Sequence, residues 1–335
     1  MGERLAGSQK VRGSNPLSSI PAGAEIAWAG GEFVPRRDLA VPVGDAGFVL
    51  GATVTEQLRT IRGRLFLPTE HGERLAASLA AVGIEPPESP TWLVEAAAEV
   101  ASHNHRLATR ARADADVDLG VVIFVTPGGL PAQHEGAPGR PWAAIHSFPL
   151  AFRSWAAAYG QGVALRTVSV RQVPEACWPL HAKVRSRLHY FLADREAHAA
   201  ESGARAVLAH ADGRISETST ANVAIVRSGV VITPPAADAL PGISLAFARS
   251  LGERAGIPWE SRSLTADDLA TADEILLTST PSCLLPCTRV DGRPVGGGSP
   301  GDVYRTLLEA WSRAVDLDIA RQAALAAGIH TAPAR

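Results

Sequence analysis

Hydrophobic and polar positions change rhythm several times along this chain, and each change predicts an element. Ala27-Trp28-Ala29 and Glu32-Phe33-Val34 flank Gly30-Gly31 as the arms of a hairpin, and Val41-Pro42-Val43 predicts a short strand beyond it. From Gln57 to Arg62 polar and apolar residues alternate, Gly63-Arg64 turns, and Leu65-Phe66-Leu67 returns as a second hairpin. Thr69 then opens a helix with Glu70 and Glu73 in its first turn, Leu75, Leu79 and Val82 along its length, and Gly83 as its stop. Trp92 to about Thr109 reads as a further helix, and the apolar run from Gly120 to Thr126 as a buried strand ended by Pro127-Gly128-Gly129.

Residues 1–22 are polar, carry Gly and Pro, and show neither rhythm, which predicts a disordered extension. Pro141 to about Tyr159 is predicted as an irregular connection, followed by a strand over Val163 to Val168. A domain boundary is expected there, near residue 150, giving an N-terminal domain over 23–150, a C-terminal domain over 151–320 and a tail over 321–335. The second half reads as a helix over about 183–200, strands over 205–210, 222–227 and 230–233, a helix over 243–255 and a strand over 274–278. Strands mix with helices in both halves without regular strand-helix-strand alternation, so the expected class is α+β.

Composition narrows the function. The 335 residues are 46% hydrophobic and 20% charged, enough to bury two ordinary cores. A formal net charge of -2 with no basic stripe argues against nucleic acid and anionic lipid as partners. Cys177, Cys283 and Cys287 form no C-x-x-C pair, and the close pair His103 and His105 has no cysteine near it in sequence, so neither a disulfide framework nor a metal site is expected. A reducing cytoplasm fits that usage. No apolar run approaches the roughly 20 residues of a membrane span, and the polar start lacks the apolar core of a signal peptide.

Lysine changes the picture most. It stands only at Lys10 and Lys183, and the rest of the 32 basic residues are arginine. A chain that supplies positive charge with arginine, yet carries lysine at 183, suggests a task arginine cannot perform. Arginine stays protonated, whereas a desolvated lysine amine can lose its proton and attack a carbonyl.

The motifs around it carry a family resemblance. Gly44-Asp45-Ala46-Gly47-Phe48 followed by Gly51-Ala52-Thr53-Val54-Thr55-Glu56 resembles the D-x-G-F-x-x-G-x-x-V-x-E signature of the class IV, or fold-type IV, aminotransferases. Glu70-His71-Gly72-Glu73-Arg74-Leu75 is similar to that family's E-H-x-x-R-L helix, and Ile215-Ser216-Glu217-Thr218-Ser219-Thr220-Ala221-Asn222-Val223 to its strand with a central glutamate. Leu240-Pro241-Gly242-Ile243-Ser244 resembles its L-P-G-I-T turn, and Ala272-Asp273-Glu274 with Thr278-Ser279-Thr280 its A-D-E strand and following loop. Any one of these arises by chance; together, in family order, they identify the chain as a member.

The resemblance implies a two-domain fold-type IV enzyme with a smaller N-terminal α/β domain and a larger C-terminal domain holding a mixed, barrel-like sheet. It implies a homodimer that uses pyridoxal 5'-phosphate to move an amino group between an amino acid and a 2-oxo acid. Lys183 would hold the cofactor as a Schiff base and later move a proton at the substrate's alpha carbon. Glu217 would face the ring nitrogen, and Leu240 would pack on the ring. Ile243 and Ser244 open a helix after a Pro-Gly turn, which leaves backbone N–H groups for a phosphate; by resemblance, Arg74 and Thr280 complete that cup.

The pattern also breaks. Thr55 stands where the family carries Phe or Tyr, which implies a smaller, more polar wall against the substrate. Val125-Thr126-Pro127-Gly128-Gly129-Leu130-Pro131-Ala132-Gln133-His134 resembles the V-T-R-G-x-x-P-R-x-H run of D-amino-acid aminotransferases, but Pro127 and Ala132 replace its arginines and only His134 remains for the substrate. Arg185, Arg187 and His189 are positioned in sequence to take over part of that contact, although Arg187 and Tyr190 are equally compatible with structural roles. Lys183-Val184-Arg185-Ser186-Arg187-Leu188 is also similar to the K-x-x-N-R-L of aminodeoxychorismate lyases, which keeps a pyridoxal-phosphate lyase open as an alternative. A catalytically decayed binding or scaffold protein is the alternative of a different class.

Overall fold

The computed structural model describes residues 20–111, 117–133 and 139–329. The two halves of the first hairpin are β1 (Ile26–Ala29) and β2 (Glu32–Pro35), and a single short turn of helix, α1 (Ala46–Val49), leads into the long β3 (Val54–Ile61), its return β4 (Arg64–Leu65) and helix α2 (Pro68–Val82). Helix α3 (Pro90–Ala111) follows, then β5 (Leu119–Thr126) and β6 (Trp142–Pro149). These strands form one six-stranded sheet in the order β2-β1-β6-β5-β3-β4.

Its central strand β5 is apolar at nearly every position because both of its faces are covered. One face, with Val54, Leu58, Val121, Ile123, Val125 and Ile145, packs against Leu75 and Leu79 of α2 and Leu93, Ala97 and Val100 of α3. Alternation along β3 sends Thr55, Gln57 and Arg59 to the other face, toward the second sheet. Asn104 on α3 fixes the edge: its side chain accepts from Ile26 N at 2.8 Å and donates to Ile26 O at 2.7 Å.

The second half continues with α4 (Ala158–Gln161), β7 (Val163–Arg171), α5 (Leu188–Ala200), β8 (Arg205–Ala209), β9 (Ile215–Thr218), β10 (Asn222–Arg227) and β11 (Val230–Thr233). Helix α6 (Ile243–Arg254), β12 (Trp259–Ser261), α7 (Ala266–Ala270), β13 (Glu274–Ser279), β14 (Cys283–Val290), β15 (Arg293–Pro294), α8 (Asp302–Ala314) and α9 (Ile319–Ala327) complete the chain. Pairing runs β10-β13-β14-β7-β8-β9 and returns to β10 through Asn222 opposite Glu217, which closes a six-stranded barrel. The strands are parallel at β14–β7 and β7–β8 and antiparallel at the other joints. This is the α+β class with a mixed, barrel-like sheet expected from the sequence. Leu251 of α6 and Leu307 and Trp311 of α8 share the large core beside the barrel, each buried leucine contributing roughly 1.5–3 kcal/mol.

Four local expectations are corrected. Residues 41–43 form no strand, and Val43 is exposed. The stretch from Pro141, expected to be irregular, contains β6, which pairs with β5 over its whole length; this pairing overrides the weak local signal of its aromatics and prolines. The helix expected from 183 begins only at Leu188, because residues 183–185 are drawn into contact with β3. Residues 321–327, expected in a tail, belong to α9, where Gln322, Ala323 and Ala324 are buried. Of the expected N-terminal extension, residues 1–19 lie outside the described residues, as does Lys10.

Candidate active site

Lys183 is presented by main-chain geometry. Thr55 N donates to Lys183 O at 2.8 Å, Arg185 N donates to Thr53 O at 3.0 Å, and Val54 bridges Val184 in antiparallel fashion. Lys183 N donates to the Ser78 hydroxyl on α2 at 3.1 Å. Residues 183–185 are therefore extended, so the side chains at 183 and 185 emerge on one side of the run, and Arg187 follows at the N-cap of α5. All three line a cavity of about 280 Å³ between the two sheets. Burial and the charges of Arg74 and Arg187 lower the Lys183 amine to about 8, against the opposing pull of Glu56 and Glu217.

A carboxylate lies across the cavity. Glu217 on β9 accepts from the Tyr190 hydroxyl at 2.7 Å and from Asn222 Nδ2 at 3.1 Å. Asn222 Nδ2 also donates to Leu240 O at 2.8 Å, which ties β10 to the turn before α6. Burial raises the Glu217 carboxyl above its ordinary range, and the Tyr190 hydroxyl and the Lys183 charge oppose that rise. The Tyr190 hydroxyl in turn accepts from Gln172 Nε2 at 3.1 Å, so its direction is set.

A third cluster supplies donors. Gly242 precedes α6 with no side-chain cap, which leaves the first-turn N–H groups, near Ile243 and Ser244, facing the cavity. A Cβ on Gly242 would stand 1.8 Å from Asn222 Oδ1, so only glycine lets the turn approach this closely. Arg74 reaches the same corner: its Nη1 donates to Pro241 O at 3.0 Å, while Nε and Nη2 donate to Glu56 at 3.0 and 2.5 Å. Burial alone would raise Glu56, but the Arg74 charge and the bonds from His71 and Arg74 hold its carboxyl down to about 2. Thr280, in the turn between β13 and β14, closes the rim.

Among the predicted residues, Lys183, Arg74, Glu217, Leu240, Ile243, Ser244, Thr280, Thr55 and Arg187 all line this one cavity. His134 lies outside the described residues. Sequence reasoning gave no role to Glu56, which ends a quoted motif but whose face of β3 a motif cannot reveal, nor to Asn222 as the bridge from Glu217 to Leu240. The donor set has a definite chemistry: backbone amides, a guanidinium and hydroxyls at one end, a carboxylate at another, an amine between. A phosphorylated pyridine aldehyde fits it, with phosphate at the donors and ring nitrogen at Glu217. Among the described residues there is no group of three or more metal-binding side chains, and no helix is long and apolar enough to cross a membrane.

The sequence model of the amino-transferase class IV family matches residues 53–290. The chain is similar to a D-alanine aminotransferase of Bacillus licheniformis, with 28% identity over 287 residues, 85% of this chain and 95% of that protein. It is similar also to a putative branched-chain-amino-acid aminotransferase of Methanocaldococcus jannaschii, with 30% identity over 283 residues, 84% of this chain and 93% of that one. Among solved structures, the branched-chain aminotransferase of Thermoproteus uzoniensis with norvaline superposes with a TM-score of 0.75 at 26% identity, over 87% of this chain and 95% of the other. The T.th. branched-chain amino acid aminotransferase with pyridoxamine 5'-phosphate gives 0.72 at 28% identity, over 87% and 94%.

Proposed function

This chain belongs to the class IV aminotransferases, and we propose that it moves an amino group between an amino acid and a 2-oxo acid with pyridoxal 5'-phosphate held through the amine of Lys183. The observation that carries the reading is the convergence of that amine, the Glu217 carboxylate and the donor cup at α6 on a single cavity. When bound, the cofactor supplies an electron-withdrawing ring that stabilises negative charge at the substrate's alpha carbon. The protein supplies everything around it.

Arg74, the Ile243 and Ser244 end of α6 and Thr280 hold the phosphate; Leu240 packs against the ring. Glu217 keeps a proton on the ring nitrogen, and Tyr190 and Asn222 keep Glu217 aimed. Lys183, with its amine brought to about 8, is uncharged often enough near neutral pH to take a proton from the alpha carbon and to return one. Glu56, itself bonded to His71, holds Arg74 from behind. Thr55 and Arg187 face the substrate.

We further propose a cytoplasmic homodimer. Phe48, Leu50, Leu188 and Phe191 are exposed large apolar residues, and the bond from Ser186 to Gly51 O brings their two segments together beside the cavity mouth. Free Cys177 at the surface supports a reducing compartment.

The test is direct. The purified protein should carry a visible absorption band, and borohydride followed by peptide mass spectrometry should find a pyridoxyl group on Lys183. A panel of amino donors with 2-oxoglutarate then reads transfer. Pyruvate released over many turnovers without an amino acceptor would mark a lyase, and cofactor on no residue would overturn the reading.

A further inference from the structure

Two guanidinium groups follow Lys183, Arg185 on the same extended run and Arg187 at the N-cap of α5, and their situations differ. Arg187 is already engaged: it donates to Ser219 O, and its guanidinium lies 4.6 Å above the centre of the Tyr190 ring. The Arg185 side chain makes no hydrogen bond or ion pair with any described residue, although its backbone N–H is fixed to Thr53 O at 3.0 Å. A free cation on an anchored backbone is a receptor held in place before its ligand arrives.

Its surroundings select an anion. Arg185 lines the cavity together with Thr55 and Gln57 on the inner face of the first sheet. On that face Gln57 pairs with Val122, and Val122 with His146. The His146 imidazole is pushed down by burial and, among other causes, by the charges of Arg185 and Arg36, so it adds no positive charge of its own near neutral pH. Around the amine the cavity walls carry Arg185, Arg187, Ser219 and Thr220. The one carboxylate lining this cavity among the described residues, Glu217, is held by Tyr190 and Asn222. Positive charge is thus in excess over the single carboxylate on the walls of this cavity.

We propose that Arg185 binds a carboxylate of the substrate, which makes it a specificity-determining residue of this enzyme. The proposal rests on the transaminase reading of the cavity. The Cα of Arg185, two residues beyond Lys183 on the extended run, lies about 7 Å along the chain from that of Lys183. A carboxylate gripped there through two parallel N–H bonds is fixed in direction as well as position. Arg187, clamped on Tyr190, adds attraction without moving.

The experiment titrates the cofactor-loaded protein with two unreactive acids, butyrate with one carboxylate and glutarate with two, by calorimetry. Arg185→Gln should weaken binding roughly 10- to 100-fold, the effect of losing hydrogen bonds to a charged group. Arg185→Lys, which keeps the charge but not the fork, should fall between. If both acids weaken, Arg185 holds the carboxylate that all amino acids share; if only glutarate weakens, it holds the distal one of an acidic substrate. Parental binding of both acids by Arg185→Gln, with its melting temperature unchanged, overturns the assignment. A parent that binds glutarate through Arg185 yet transfers amino groups from no amino acid would sink the transaminase reading and leave the carboxylate site standing.

Discussion

Glu56, with no exposed surface, accepts hydrogen bonds from both Nε and Nη2 of Arg74, at 3.0 and 2.5 Å. The pair joins β3 to α2 directly behind the donor cup. Glu56→Gln leaves the Arg74 charge in place without a counter-charge, and breaking a buried pair from one side costs roughly 3–5 kcal/mol. Burial opposes the charged form, but Arg74 and His71 keep the carboxyl at about 2 instead of 4.5, so its stabilisation is complete above pH 4.5 and is lost as pH falls toward 2. Denaturant melts should therefore separate parent and variant widely at pH 7 and bring them together in acid. Equal stability at pH 7 would contradict the buried pair.

Lys183 carries a second pH signature in a higher window, a cost to the folded state where Glu56 contributes a gain. Its amine is lowered from 10.5 to about 8 by burial and by Arg74, so a protonated Lys183 disfavours the folded state below pH 8, and that cost fades between pH 8 and 10.5. Cofactor-free Lys183→Met protein should melt above the cofactor-free parent at pH 7 and lose that advantage by pH 10.5. The parent's rate of pyridoxal phosphate uptake should climb through a midpoint near pH 8. Uptake flat between pH 6 and 9 would count against the lowered amine.

Glu217→Gln preserves shape and one acceptor but removes the charge proposed to face the ring nitrogen. Turnover should fall on the order of 10²-fold or more while the visible band persists, since retention rests on Lys183 and the cup. Stopped-flow measurement of the half-reaction separates the two effects. Parental rates with the band intact would make Glu217 a bystander.

Gly242→Ala should act through Asn222. A methyl 1.8 Å from Asn222 Oδ1 must push that side chain away, and the amide cannot leave without dropping its bonds to Glu217 and Leu240 O. Cofactor affinity should drop roughly 10- to 100-fold. Dialysis followed by absorbance reads it, and unchanged retention would mean the turn can relax.

Much of this architecture could be read locally. The hairpin at Gly30-Gly31, the α2 stripe of Leu75 and Leu79 and the run of β5 each carry their own instruction in a few residues. Where partners distant in sequence decide, the reading failed: β6 is a strand because β5 lies beside it, and residues 183–185 are extended because Thr53 and Thr55 bond their main chain. Lys183 stood out because arginine replaces lysine elsewhere, and Glu217 because of its motif. Glu56 needed the fold, since only pairing tells which side chains of β3 face α2 and which face the cavity; Arg185 stood out by its place beside Lys183, but only the fold shows its side chain without a hydrogen bond or ion pair among the described residues.

Helix α9 belongs to the same lesson and gives a further prediction. Gln322 accepts from Arg59 Nη2 at 3.1 Å and donates to Asp118 Oδ2 at 2.7 Å, while Arg59 Nη1 donates to Pro281 O at 2.9 Å beside Thr280. Gln322→Ala leaves buried polar partners short of a bond and should cost about 1–3 kcal/mol. Thermal melts at neutral pH check this, and a variant as stable as the parent would show that α9 merely covers the surface.

The bond from Thr55 N to Lys183 O means that the lysine proposed to hold the cofactor is registered by a strand more than a hundred positions earlier in the chain. A nascent polypeptide halted before its second half has no nucleophile, and one whose first half is misfolded has a nucleophile aimed nowhere. On the proposed chemistry, acquisition of yellow colour would serve as an assembly certificate, appearing only once both sheets have docked and distinguishing finished molecules from compact but incomplete ones.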